Sequence, residues 1–125
     1  MPALAEEFKM GDVGSNVLFE DDKIKVWDFN LAPGEETPIH THHMEYVFYV
    51  IKGSTLDVFD AKGTRLEPLV LSDGDLVALR IEGDELVLIG DESKRVPVTH
   101  SARNAGPEPY RELLVEKKPA PHSEG

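Results

Sequence analysis

Apolar residues in this chain come in short bursts rather than long stripes. Runs rich in Val, Ile, Phe and Tyr are separated by Gly, Pro and Asp, and no stretch sustains the 3.6-residue spacing of an amphipathic helix. The pattern predicts an all-β chain, a sandwich or barrel. Predicted strands cover Asn16 to Glu20, Lys23 to Leu31, Tyr46 to Lys52, Thr55 to Asp60, Thr64 to Leu71, Asp75 to Arg80, Glu85 to Ile89, Thr99 to Asn104 and Arg111 to Glu116. The connections carry turn chemistry: Asp21-Asp22, Ala32-Pro33-Gly34, Lys62-Gly63, Asp73-Gly74 and Gly106-Pro107.

Residues 1–16 read as an N-terminal arm, either a short helix or a segment that packs on a partner subunit. Residues 17–117 read as one barrel. Residues 118–125, rich in Pro and charge without an apolar pattern, read as a flexible tail that carries His122.

Composition narrows the chemistry. The 125 residues contain no cysteine, which removes disulfides, thiolate nucleophiles and sulfur-based metal sites, so any metal must be held by nitrogen and oxygen. The net charge of −11 repels phosphate backbones and anionic lipid surfaces, and argues against nucleic-acid and membrane partners. No segment has the roughly 18 apolar residues of a membrane span, and the N-terminus lacks the basic and apolar regions of a signal peptide. The expected compartment is the cytoplasm.

Three of the five histidines crowd into "HTHH", His40 to His43. On a strand, His40 and His42 face one side while Thr41 and His43 face the other, which sets two imidazoles about 7 Å apart along the backbone and able to converge on one ion. His100, in another short β-like stretch, supplies a third ring if its strand lies alongside. Continuous pleating turns Tyr46, Phe48 and Val50 to the same side as His42 and puts Glu45 on the other. A one-residue bulge would reverse this and bring Glu45 to the ion. The bland alternative makes each histidine a satisfied structural residue, and Tyr46 a core ring with its hydroxyl bonded to backbone.

The segment from Gly34 through His40 and His42 to Gly53 resembles the first motif of the cupin family. That motif is a glycine, five residues, His-x-His, a short gap, an acidic residue, six residues and a closing glycine. The segment from His100 to Asn104, followed by a last strand, resembles the second motif. The resemblance covers about residues 17–117 and implies a double-stranded β-helix of jelly-roll type. It also implies a divalent metal, most often iron, manganese, zinc, nickel or copper, at His40, His42 and His100. Counting back from Gly53, the position of the motif's acidic ligand falls on Tyr46, with Glu45 one residue early. The reading favoured here is therefore a three-histidine site with Tyr46 beside it, bonding a metal-bound water or ligating as phenolate. The chain also departs from the family between Asp75 and His100, where residues 80–97 form an insertion read as an added hairpin or flap near the barrel opening.

The function expected from this is a metal-binding single-domain cupin for a small-molecule ligand. One form is a mononuclear non-haem metal dioxygenase acting on a small organic acid or dicarbonyl. The alternatives are a non-catalytic binding or sensing module and a metal-dependent isomerase or lyase in which Tyr46 or Glu45 moves a proton. Phe48 and Val50, if inward, are expected to wall the pocket, and Arg80 and Arg103 either to hold a ligand carboxylate or to form surface salt bridges with the abundant acids. Trp27 is expected in the core, and Asn104 in the turn after His100. A homodimer is expected, since pairing hides edge strands.

Overall fold

The computed structural model describes residues 14–119. The arm expected over residues 1–16 lies outside them except for its last three residues, as does most of the tail, His122 included. Two sheets face each other, as the double-stranded β-helix reading predicts. One has seven strands in the order β1 (Asn16–Glu20), β2 (Ile24–Leu31), β11 (Tyr110–Lys117), β4 (Tyr46–Lys52), β7 (Leu76–Glu82), β8 (Glu85–Leu88) and β9 (Arg95–Pro97). The other has four, in the order β3 (His40–Thr41), β10 (Thr99–Asn104), β5 (Ser54–Asp60) and β6 (Leu69–Leu71). The described residues include no helix long and apolar enough to cross a membrane.

Period-two alternation explains which faces meet. Along β4, Tyr46, Phe48 and Val50 are buried while Tyr49 and Ile51 are exposed; on β2, Trp27, Phe29 and Leu31 turn inward with Tyr110 and Leu114 from β11. The alternation runs through Tyr46 without the bulge that would have turned Glu45 inward. Trp27 belongs to this core as expected, and its Nε1–H donates to Glu116 at 2.7 Å.

Two predicted elements changed. Only Leu69–Leu71 of the stretch Thr64 to Leu71 is a strand, because Glu67-Pro68 interrupts it and proline has no N–H for a ladder. The insertion at residues 80–97 forms the predicted hairpin, but as an extension of the larger sheet. Strand β7 continues to Glu82, turns through Gly83 and returns as β8, whose Leu86 and Val87 are fully buried, and β9 then pairs with β8.

Asn104 ties the second motif to the scaffold. Its Nδ2 donates to the carbonyls of Leu31 (3.0 Å) and Glu108 (2.8 Å), while its Oδ1 accepts from Ser54 Oγ (2.6 Å) and Gly106 N (3.0 Å). With every polar atom committed to holding the turn, it acts as the expected anchor.

Gly53, the closing glycine of the first motif, is required by close approach. A Cβ there would sit 2.2 Å from the Leu71 carbonyl oxygen and 2.8 Å from Ser72 Cα. Gly53→Ala is expected to cost about 1–3 kcal/mol by overpacking, seen as a lower urea midpoint with unchanged m-value. An unaltered midpoint would show that the β6–β7 turn yields freely.

Candidate functional site

Strand pairing assembles the histidines. Strand β3 lies antiparallel to β10 with His40 directly opposite His100, and the His42 N–H donates to the Val98 carbonyl at 2.9 Å. The ring centroids of His40, His42 and His100 lie 4.7 to 5.0 Å apart. One candidate ligand atom from each falls within 4.8 Å of the others. Donors bound to one ion at about 2.1 Å stand roughly 3–3.4 Å apart, so small ring movements would close the set.

Hydrogen bonding prepares two rings for that role. Nδ1 of His40 lies 3.0 Å from the Pro38 carbonyl, and Nδ1 of His100 lies 2.7 Å from that of Pro97. A carbonyl can only accept, so both Nδ1 atoms carry the proton and each Nε2 keeps its lone pair for a metal. In His42, Nδ1 is buried without a hydrogen-bond partner, the kind of polar atom that a bound ion would account for.

Electrostatics point the same way. Burial, and then the charge of His100, lower the His40 pKa to about 4 despite the bond to Pro38. Burial likewise holds His42 and His100 below the usual imidazole range. All three rings are neutral at neutral pH, the form that coordinates. The donor set therefore fits a divalent ion, and it adds no negative charge to offset the ion's own.

Tyr46 stacks on His42, with centroids 4.4 Å apart and planes 18° from parallel. Its pKa is raised by burial and by the carboxyls of Glu112 and Glu116, so the phenol keeps its proton and the phenolate form is disfavoured. Tyr46→Phe is accordingly expected to leave zinc affinity within about twofold, since no ligand is lost. A drop of tenfold or more in a chelator competition assay would instead make Tyr46 a ligand.

The histidines form part of the wall of a cavity of about 710 Å³ lined between them by mostly apolar side chains, Tyr46 and Phe48 among them. Other residues expected at the site lie elsewhere. Val50 is wholly buried in the core and does not reach the cavity surface. Arg80 and Arg103 are also absent from the wall, because acids outside it claim them. Arg80 pairs with Glu82 and, at 2.9 Å, with Glu92; Arg103 pairs with Asp57 at 3.0 Å. Glu45 Oε2 accepts the Ile81 N–H at 3.1 Å, away from the cavity. His43 is exposed.

Sequence reasoning missed Glu112. This buried acid on β11 lines the cavity and accepts the Tyr110 hydroxyl on Oε1; burial pushes its pKa up to about 8 against the lowering effect of that bond. A signal was present, because alternation through β11 puts Glu112 on the same face as Tyr110, Leu114 and Glu116. The insertion contributes as well, since Leu88 and residues 93–96 line the cavity.

A jelly roll with this histidine set on the cavity wall has the cupin fold. Among known proteins, a family model described as "Auxin binding protein" matches residues 7–66. The chain is 30% identical over 109 residues to Auxin-binding protein 1 of Arabidopsis thaliana, a match covering 86% of this chain and 48% of that protein. It is 44% identical over 41 residues to Auxin-binding protein T85 of Nicotiana tabacum, covering 33% and 22%. The chain thus spans about half the length of the first relative and less of the second. In fold it is similar to a cupin domain from Bordetella pertussis Tohama I, with a TM-score of 0.62, 20% identity and coverage of 90% of this chain and 99% of that one. It is also similar to a double-stranded β-helix protein from Klebsiella pneumoniae, with a TM-score of 0.53, 23% identity and coverage of 88% and 77%.

Proposed function

We propose that this chain binds a small organic acid on a divalent ion held by His40, His42 and His100. The observation that carries this reading is the convergence of three neutral imidazoles on the wall of a largely apolar cavity. An uncompensated ion offers an anionic oxygen ligand its full charge, and the apolar lining suits an aromatic or aliphatic body. The names of the auxin-binding relatives support the same class, a small apolar-bodied carboxylic acid. When bound, the ion would supply Lewis acidity and open coordination positions. Zinc, iron and nickel all suit three imidazole nitrogens, whereas manganese prefers oxygen donors.

The chain's own residues would orient the ligand. Tyr46 holds the His42 ring by stacking and keeps a phenolic proton near the site. Isothermal titration of zinc-loaded and metal-free protein with indole-3-acetate tests the reading. Micromolar or tighter binding is expected only when the ion is present, with loss in His100→Ala. Equal affinity with and without metal would overturn it.

A second reading, a mononuclear dioxygenase for dicarbonyls or keto acids, is favoured because, among the described residues, no carboxylate joins the grouped donors, which leaves more than one position open. Here Tyr46 would hold or move a proton on the substrate. Oxygen consumption by iron-loaded protein with a diketone panel would establish it; binding without consumption would support the non-catalytic form. Isomerase or lyase chemistry would instead show as turnover without oxygen, and since Glu45 is bonded to the β7 backbone, Tyr46 would be its proton carrier.

A further inference from the structure

The cavity has a second polar pole. Strands β11 and β4 pair with Glu116 opposite Tyr46, Leu114 opposite Phe48 and Glu112 opposite Val50. Glu112 thus stands four residues along β11 from the row of Tyr46, which stacks on His42. At about 3.3 Å per residue the backbone positions are about 13 Å apart along the strand, while the Glu112 carboxyl still lies within electrostatic reach of the Tyr46 hydroxyl. The histidines and Glu112 line the same cavity, with Phe29, Phe48, Leu79 and Leu114 also on its walls.

Glu112 is held in place. Tyr110 donates its hydroxyl to Oε1, and the Tyr110 ring is fully buried and packs edge-on against Phe29, with centroids 5.9 Å apart and planes at 83°. The carboxyl is also outside the group of atoms that could share an ion with the histidines. A carboxyl fixed on one oxygen and placed on the wall of an apolar cavity has a second oxygen to offer a ligand.

We infer that Glu112 is a specificity-determining residue that hydrogen-bonds a hydroxyl or similar protic group at the end of the ligand remote from the metal. This deepens the organic-acid reading and rests on it for the other end of the ligand. The substrate class is then an apolar-bodied carboxylic acid with a second polar group at its far end. The raised pKa of Glu112 is consistent with this, because a neutral carboxyl can both donate to and accept from a hydroxyl. A charged acid in so apolar a place would favour cationic ligands instead.

The test uses two probe pairs, each differing by hydroxyl against methyl. 2-Naphthol and 2-methylnaphthalene have no carboxylate and are titrated into metal-free protein; 4-hydroxyphenylacetate and 4-methylphenylacetate are titrated into zinc-loaded protein. Glu112→Leu is expected to weaken the hydroxyl probes by about tenfold, the loss of one hydrogen bond, while the methyl probes change by less than about twofold. Glu112→Gln, which keeps polar atoms and an acceptor for Tyr110, is expected to retain most of the hydroxyl affinity. Equal effects of Glu112→Leu on both members of the naphthalene pair, or none on either, would overturn the assignment. If that pair behaves as expected but zinc gives 4-hydroxyphenylacetate no added affinity, the assignment of Glu112 is kept and the seating of the carboxylate on the ion is lost.

Discussion

Replacing His40 or His100 with alanine is expected to lower zinc affinity by about a hundredfold or more, while His43→Ala leaves it unchanged. Loss of a partner that merely orients a metal ligand costs about 10- to 100-fold, and loss of the ligand itself should cost at least as much. Each of the two rings is pre-set, with Nδ1 held by a backbone carbonyl and Nε2 left to coordinate. His43 is three residues from His40 and next to His42, so its parity is wrong, and it faces solvent. Competition against a chromophoric chelator at neutral pH measures all three. A His100→Ala protein that binds zinc as the parent does would remove the proposed centre. The same assay should show zinc affinity falling with acidity, since protonated imidazoles cannot coordinate.

Glu112→Gln is expected to stabilise the metal-free protein, and the gain should grow with pH. The carboxyl has a pKa of about 8 in the fold against 4.5 as its ordinary value, so the folded state binds the extra proton. Below about pH 4.5 both states are protonated and the contribution to stability is fully present. It is lost as pH rises through 8, because the buried acid must either stay neutral at growing cost or ionise in an apolar wall. At pH 7 the difference amounts to on the order of 3 kcal/mol, and glutamine, neutral at every pH and able to accept from Tyr110, avoids it.

The histidines act in the opposite sense. Their folded pKa values lie below 6.5, that of His40 at about 4. Their contribution is therefore present above about pH 6.5 and declines as pH falls toward 4. Because parent and variant share them, the histidines drop out of the difference. Urea unfolding of both proteins at about pH 5 and about pH 8 separates the two effects. Parallel stabilities at both values would mean that Glu112 is solvated in the folded protein.

Most of the larger strands were legible because each carries several turns of the period-two alternation. The bounds predicted for Asn16 to Glu20, Tyr46 to Lys52 and Thr99 to Asn104 agree with β1, β4 and β10. Strands β3 and β9 were not, since two or three residues are too few to show a period. The inward turn of His40, His42 and Tyr46 was legible from parity and motif spacing together. The destinations of Arg80 and Arg103 were not, because 24 acids compete for them and only the packed chain decides which acid is near.

The sequence by itself determined that strands must form and which side chains share a face, because both follow from local alternation and turn chemistry. It determined the donors in kind as well: with no cysteine present, nitrogen and oxygen were all that remained. Tertiary structure alone decided that His100 lies opposite His40, that residues 80–97 extend a sheet and wall a cavity, and that Glu112 lines that same cavity. Each of these depends on the pairing of strands distant in sequence. No local pattern encodes the partner of a strand, only the face it will present.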